Sequence, residues 1–209
     1  MIRLFSLLLA LTCAAFAQNS LPPRTVIMFG DSITAGGGWV KQIEKESGGT
    51  LTLINEGKGG RPTASLKEFE AMLLGHPKAD ALVIALGMND SRDITAACVP
   101  KAVTNVRAMI EKARHAYGVK LPVLLVGPTN INKAALGPTK PIGDQREAKL
   151  RELGAAFAKL ADETQSEFIS LFGVVPADAL LKDGVHPDAA GNAAIANVMG
   201  GRMKSWLAD

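Results

Sequence analysis

The sequence predicts an α/β protein, a three-layer α/β/α sandwich around a five-stranded parallel sheet, flavodoxin-like with strand order 2-1-3-4-5. Three observations carry that expectation. Short apolar runs rich in β-formers recur five times, as in strands buried on both faces. The stretches between them place apolar residues at helical spacing. The residues just after most of the runs are small or polar, at the sheet edge where open α/β sheets bind ligands.

The elements are taken in chain order. Residues 1–17 have the pattern of a cleaved leader: Arg3, an apolar run Leu4–Leu11, then Ala15-Phe16-Ala17 as a small-x-small cleavage site. The mature chain, 18–209, is expected to form one domain exported to the periplasm or beyond the cell. A lipoprotein leader ending at Cys13 is the alternative, but Leu-Thr precedes that cysteine where small residues are usual. The leader is too short to span a bilayer comfortably, and no later run is longer, so no membrane contact is expected. Cys98 alone remains after cleavage, which leaves no intramolecular disulfide.

Val26–Phe29 reads as the first strand, ended by Gly30; Trp39, Val40 and Ile43 mark a short helix stopped by Ser47-Gly48-Gly49. Leu51–Ile54 is the second strand. Ser65 and Glu68 have the spacing of a capping box and open a helix bearing Leu66, Phe69 and Leu73. Ala81–Leu86 is the third strand, followed by a helix with Val103, Val106, Met109, Ile110 and Ala113 in one stripe. Val123–Val126 is the fourth. Residues 127–143 form a long loop, a candidate substrate rim, in which Ile131, Ala134, Ala135 and Leu136 could line an acyl pocket. Asp144 with Glu147 starts a helix carrying Leu150, Leu153, Phe157 and Leu160; Phe168–Leu171 is the fifth strand. Pro187-Asp188 opens the last helix, with the proline in its first turn.

The loops after these strands hold the chemistry. Ser32 comes after the first strand, Asn55-Glu56-Gly57-Lys58-Gly59-Gly60 after the second and Gly87-Met88-Asn89-Asp90 after the third; Asp183-Gly184-Val185-His186 precedes the last helix. With strand one between strands two and three, Ser32 falls between Gly60 and Asn89. A serine hydroxyl needs a base beside it, and His186 is the candidate, an imidazole with an ordinary pKa of about 6.5. Asp183, three residues upstream, could orient that ring. The amides of Ser32 and Gly60 and the side-chain amide of Asn89 could receive an oxyanion. Each residue also has a plainer reading: Asp183-Gly184 as a turn, His186 as a helix-start residue, Asn89 and Asp90 as loop caps, the glycines as a flexible turn.

These blocks resemble those of the SGNH hydrolases, the GDSL esterase/lipase family, across essentially the whole mature chain. Gly30-Asp31-Ser32, Gly60, Gly87-x-Asn89-Asp90 and Asp183-x-x-His186 stand in family order, with isoleucine at 33 in place of leucine. The resemblance implies Ser32, Asp183 and His186 as catalytic residues and Ser32, Gly60 and Asn89 as the oxyanion hole. Gly57 is an alternative for the glycine role. It further implies hydrolysis of a small-molecule or polysaccharide ester; export and the lack of an evident long apolar lid favour short acyl groups, such as O-acetyl on carbohydrate. Lysophospholipase- or thioesterase-type activity on longer chains, acyl transfer to a sugar, or a catalytically silent carbohydrate-binding role are the alternatives.

Other features exclude classes of function. The chain carries 23 Lys and Arg against 20 Asp and Glu with no long basic run, which is no nucleic-acid footprint. The glycine run lacks both the phosphate-loop ending and the dinucleotide spacing. No Cys or His cluster has ligand spacing, so neither metal nor cofactor is expected. Lys58 and Arg61 read as a solvated rim, with attraction of an anionic substrate as the alternative. His76 and His115 are expected at the surface, and Trp39 and Trp206 against the sheet.

Overall fold

The structure, a computed structural model, describes residues 22–207; the expected leader and its cleavage site lie outside them. Five parallel strands, β1 (Arg24–Gly30), β2 (Leu51–Gly57), β3 (Ala81–Ala85), β4 (Val123–Gly127) and β5 (Glu167–Ser170), form one sheet in the order β2-β1-β3-β4-β5. Six α-helices accompany them: α1 (Ser32–Ala35), α2 (Gly38–Glu46), α3 (Leu66–Gly75), α4 (Cys98–Tyr117), α5 (Gly143–Glu163) and α6 (Ala189–Trp206).

Alternation along each strand builds two cores, because successive side chains leave opposite faces of a sheet. Val26 and Met28 of β1 pack with Trp39, Val40 and Ile43 of α2 and Ile195, Met199 and Met203 of α6. Ile27 and Phe29 face the other way, against Phe69, Met109, Ile110, Leu153 and Phe157 from α3, α4 and α5. The result is the expected three-layer α/β/α sandwich. Trp39 is fully buried and its indole N–H donates to the Ile33 carbonyl at 3.1 Å; Trp206 packs half-buried against the first core.

Several boundaries differ from the sequence reading. β2 does not stop at Ile54: Asn55, Glu56 and Gly57 pair with Met28, Phe29 and Gly30, so half of the expected glycine loop is strand. The backbone ladder with β1 carries these polar residues, whose composition alone reads as loop. Gly57 is held there by close approach, since a Cβ would lie 2.2 Å from the Ala35 nitrogen. β5 is shifted back by one residue, to Glu167–Ser170.

The expected capping box does not form. Ser65 is the N-cap of α3, but its backbone is not extended and its hydroxyl makes no capping bond. Glu68 instead accepts from Lys58 at 2.7 Å and Arg61 at 3.0 Å, two cations that outcompete a neutral amide. Pro187 lies before the N-cap of α6 rather than in its first turn. Asp188 is the cap, extended at ψ −165°, and its carboxylate accepts from the Gly191 amide at 2.9 Å. In the 127–143 segment, Ile131 and Leu136 are buried in the first core and do not line an open pocket; Ala134 is exposed and Ala135 half-buried.

Candidate active site

The carboxyl ends of the parallel strands bring the expected residues to one edge. β1 ends at Gly30, Asp31 caps the next turn by accepting from the Ile33 amide at 3.0 Å, and Ser32 opens α1. His186 arrives from 154 residues downstream, with Nε2 2.7 Å from Ser32 Oγ. Its Nδ1 lies 2.6 Å from Asp183 Oδ2, while the other carboxylate oxygen of Asp183 accepts from the amides of Val185 at 2.9 Å and His186 at 3.0 Å. With Nδ1–H donating to the carboxylate, Nε2 is left to accept from the serine hydroxyl. Partial burial opposes ionisation of Asp183, but the bonds from the His186 amide, the His186 ring and the Val185 amide outweigh it and hold the carboxyl below its ordinary pKa. The carboxylate is therefore charged at neutral pH and locks the ring.

The turn that carries this pair is itself braced. Gly184 has φ +70°, and its carbonyl accepts from the Asn132 amide at 2.8 Å. A Cβ on Gly184 would lie 2.5 Å from the Asn132 oxygen and 3.1 Å from Ala135. The 127–143 segment thus packs directly against the Asp183–His186 turn. Its position is that of a buttress more than a rim.

On the other side of Ser32 stand the two loops expected to supply oxyanion donors. Among the described residues, neither the Ser32 amide nor the Gly60 amide donates to an acceptor of the chain. Asn89 comes after β3, and one of its amide hydrogens goes to the Arg61 carbonyl at 3.1 Å. Its neighbour Asp90 is no local cap: it accepts from the Thr63 amide at 3.0 and 3.1 Å and from the Thr63 hydroxyl at 2.5 Å. These bonds tie the loop after β2 to the loop after β3.

Arg61 overturns both sequence readings, the solvated rim and the anion attractor. It is 7% exposed, and its guanidinium donates to the Gly30 carbonyl at 2.8 Å and to the Glu56 carbonyl and stacks 4.1 Å above the Phe29 ring. Lys58 remains an exposed partner of Glu68. His76 caps α3 and its ring bonds Glu56 at 2.7 Å, and His115 is exposed on α4; the histidine that meets Ser32 is His186. Among the described residues no three His, Cys, Asp or Glu side chains come together as metal ligands.

Sequence reasoning missed two buried charges near the site. Asp31 is 3% exposed, and burial raises its pKa to about 6. Arg146 of α5 is 1% exposed and donates to Ser91 Oγ at 3.0 Å and the Met88 carbonyl at 3.3 Å, bracing the turn that presents Asn89. Asp31 lies inside the motif that points to Ser32, so its signal is present in the sequence. Arg146 reads as one more cation on a polar helix face.

A cavity of about 20 Å³ sits at this edge, lined by Asp31, Thr34, Trp39, Met88, Pro128 and Thr129 among others. A second cavity, about 630 Å³, lies at the opposite edge, among residues that include Arg24 and Leu51 where β1 and β2 begin. It is remote from the Ser32–His186 pair.

Solved structures share this architecture. A carbohydrate acetylesterase family member from Sinorhizobium meliloti superposes with a TM-score of 0.74 at 22% identity, covering 89% of this chain and 100% of its own. A lipase/acylhydrolase from Enterococcus faecalis gives 0.71 at 24% identity, over 87% of this chain and 96% of its own. A variant of an acetyl xylan esterase from Geobacillus stearothermophilus gives 0.66 at 19% identity, over 84% and 92%. No curated protein matches the sequence significantly. Residues 28–194, a span that takes in Ser32, both donor loops and the Asp183–His186 turn, match the GDSL-like Lipase/Acylhydrolase family, and the chain belongs to that family of carboxylic ester hydrolases.

Proposed function

We propose that the protein is an exported acetylesterase that removes O-acetyl groups from carbohydrate through an acyl-enzyme on Ser32. The observation that carries the reading is the unbroken line from Ser32 Oγ through the His186 ring to Asp183, with contacts of 2.7 and 2.6 Å. In this reading Ser32 Oγ attacks the ester carbonyl as His186 Nε2 takes its proton, and ionised Asp183 stabilises the imidazolium. The oxyanion is received by the amides of Ser32 and Gly60 and by the Asn89 amide hydrogen left free by Arg61. Collapse expels the alcohol, which takes the proton back from His186. A water molecule then gives its proton to the same nitrogen as it attacks the acyl-enzyme, and the bond to Ser32 Oγ breaks to release the acid while Oγ takes the proton back from His186.

The open face of the site supports a carbohydrate ester. His186 and Asp183 are exposed by 38% and 48% of their side chains, so the alcohol part can remain in solvent, as a polysaccharide must. The acetylesterases of similar fold agree with this preference. Export rests on the leader pattern of residues 1–17.

The test is a series of p-nitrophenyl esters from acetate to decanoate, run beside acetate release from acetylated xylan. kcat/KM is expected to fall steadily beyond butyrate and acetate to be released from the polymer; a preference for eight or more carbons rejects the acetylesterase reading. Ser32→Ala is expected to lose at least about 10⁴-fold in kcat with an unchanged unfolding transition. Retention of most activity removes Ser32 as nucleophile.

A further inference from the structure

We propose that Arg61 is a positioning residue that sets the spacing of the oxyanion donors, an inference resting on the acyl-enzyme reading of Ser32. Arg61 bonds to two of the three segments that carry those donors and is itself part of the third. Its guanidinium donates to the carbonyl of Gly30, two residues before Ser32. Its own amide comes directly after Gly60 in the chain. Its carbonyl accepts from the Asn89 side chain at 3.1 Å, which fixes where the remaining amide hydrogen of Asn89 points.

The anchoring is strong for physical reasons. The guanidinium is buried, lies over the Phe29 ring, and is hydrogen-bonded to Gly30, Glu56 and Glu68. A planar fork can serve these separated acceptors and stack at the same time; an ammonium cannot. Lys58 adds a second tie, its amide donating to the same Gly30 carbonyl at 3.1 Å. Thr63, two residues beyond Arg61, is clamped by Asp90 next to Asn89. The loop after β2 is therefore bolted to the β1 end at one side and to the β3 turn at the other, with Arg61 in both bolts.

Donors of this kind act on charge that develops in the transition state, so misplacing them lowers kcat and leaves ground-state binding alone. Arg61 makes no contact with His186 or Asp183, but its charge favours ionised Asp31, which in turn acts on His186; Arg61→Lys keeps that charge, so in that variant the pH dependence of the base is expected to stay as it is.

The experiment compares wild type, Arg61→Lys, Arg61→Met, Asn89→Ala and the Arg61→Lys/Asn89→Ala double variant on p-nitrophenyl acetate, per mole of folded protein, with Ser32→Ala alongside. Arg61→Lys and Arg61→Met are expected to lose about ten- to a hundred-fold in kcat, with KM changed less than about three-fold and, in the charge-keeping Arg61→Lys, the acid limb of the pH profile unmoved. The cost of Arg61→Lys is expected to shrink at least about three-fold in the Asn89→Ala background, because one donor it positions is already gone. If Arg61→Met does not fold, Glu68→Gln takes its place; it removes one anchor and should give a smaller loss of the same kind. A kcat within two-fold of wild type, a rise in KM with kcat intact, a moved acid limb in Arg61→Lys, or an equal cost in both backgrounds each overturns the proposal. Activity surviving in Ser32→Ala overturns the underlying acyl-enzyme reading instead, so the two failures are distinct.

Discussion

Asp31→Asn isolates what a buried carboxylate next to Ser32 costs the fold. Burial raises Asp31 from 3.8 to about 6; the Ile33 amide, His186 and Arg61 favour the charged form, and Asp90 opposes it. Between roughly pH 4 and pH 6 the folded protein therefore keeps a proton that the unfolded chain has released. Stability from this group is greatest below that window, falls as pH rises through it, and is level above it. About two pH units at about 1.36 kcal/mol each put the loss near 3 kcal/mol. Asparagine keeps the oxygen that accepts from Ile33 N–H and caps a helix as well as aspartate does, so the substitution removes the charge and little else. Urea unfolding at pH 4 and pH 8 reads the difference. Relative to its effect at pH 4, Asp31→Asn is expected to gain about 2–3 kcal/mol at pH 8 with unchanged m. It should also lower kcat several-fold at pH 8, since ionised Asp31 favours the imidazolium of His186. An effect on stability equal at both pH values, within about 0.5 kcal/mol, refutes the reasoning, because Asp31 would then not titrate between them.

Two further substitutions probe the braces around the site. Gly184→Ala meets the Asn132 oxygen at 2.5 Å in a left-handed conformation and must push the Asp183–His186 turn outward. A displacement approaching 1 Å is expected to cost about 10²-fold in kcat/KM. Gly48→Ala, also at positive φ but in open space, should lose stability alone; equal activity in the two variants contradicts the buttress role of residues 127–143. Arg146→Met removes a buried cation whose hydrogen-bond partners are neutral, and Ser91 Oγ still donates to the Met88 carbonyl at 2.7 Å. Unfolding stability is expected to change by less than about 1 kcal/mol or to rise, and a loss above about 3 kcal/mol counts against it.

The layers, the strand order and the meeting of Ser32, Asp183 and His186 are legible in the sequence because they depend on short-range patterns. Val26–Phe29 can only be a strand buried on both faces, and a parallel sheet delivers the residues after each strand to one edge. Features set by long-range partners are not legible. Asn55-Glu56-Gly57 reads as loop until β1 offers a ladder, and Glu68 reads as half of a capping box until Lys58 and Arg61 arrive. Ile131 and Leu136 sit in a proline- and glycine-rich stretch whose composition says surface, while the fold tucks them beneath it. Arg61 misleads for the same reason. Its charge favours water, and the Glu68 carboxylate, the converging carbonyls of Gly30 and Glu56 and the Phe29 ring together make burial tolerable.

On the acyl-enzyme reading proposed above, the long chain separation between Ser32 and His186 makes turnover a report on complete folding. Every strand of the sheet and the turn before α6 must be docked before the imidazole can reach the hydroxyl. A polypeptide halted anywhere short of that turn carries the serine but no means of activating it. Ester cleavage measured during refolding should therefore rise with the last cooperative step and never ahead of it.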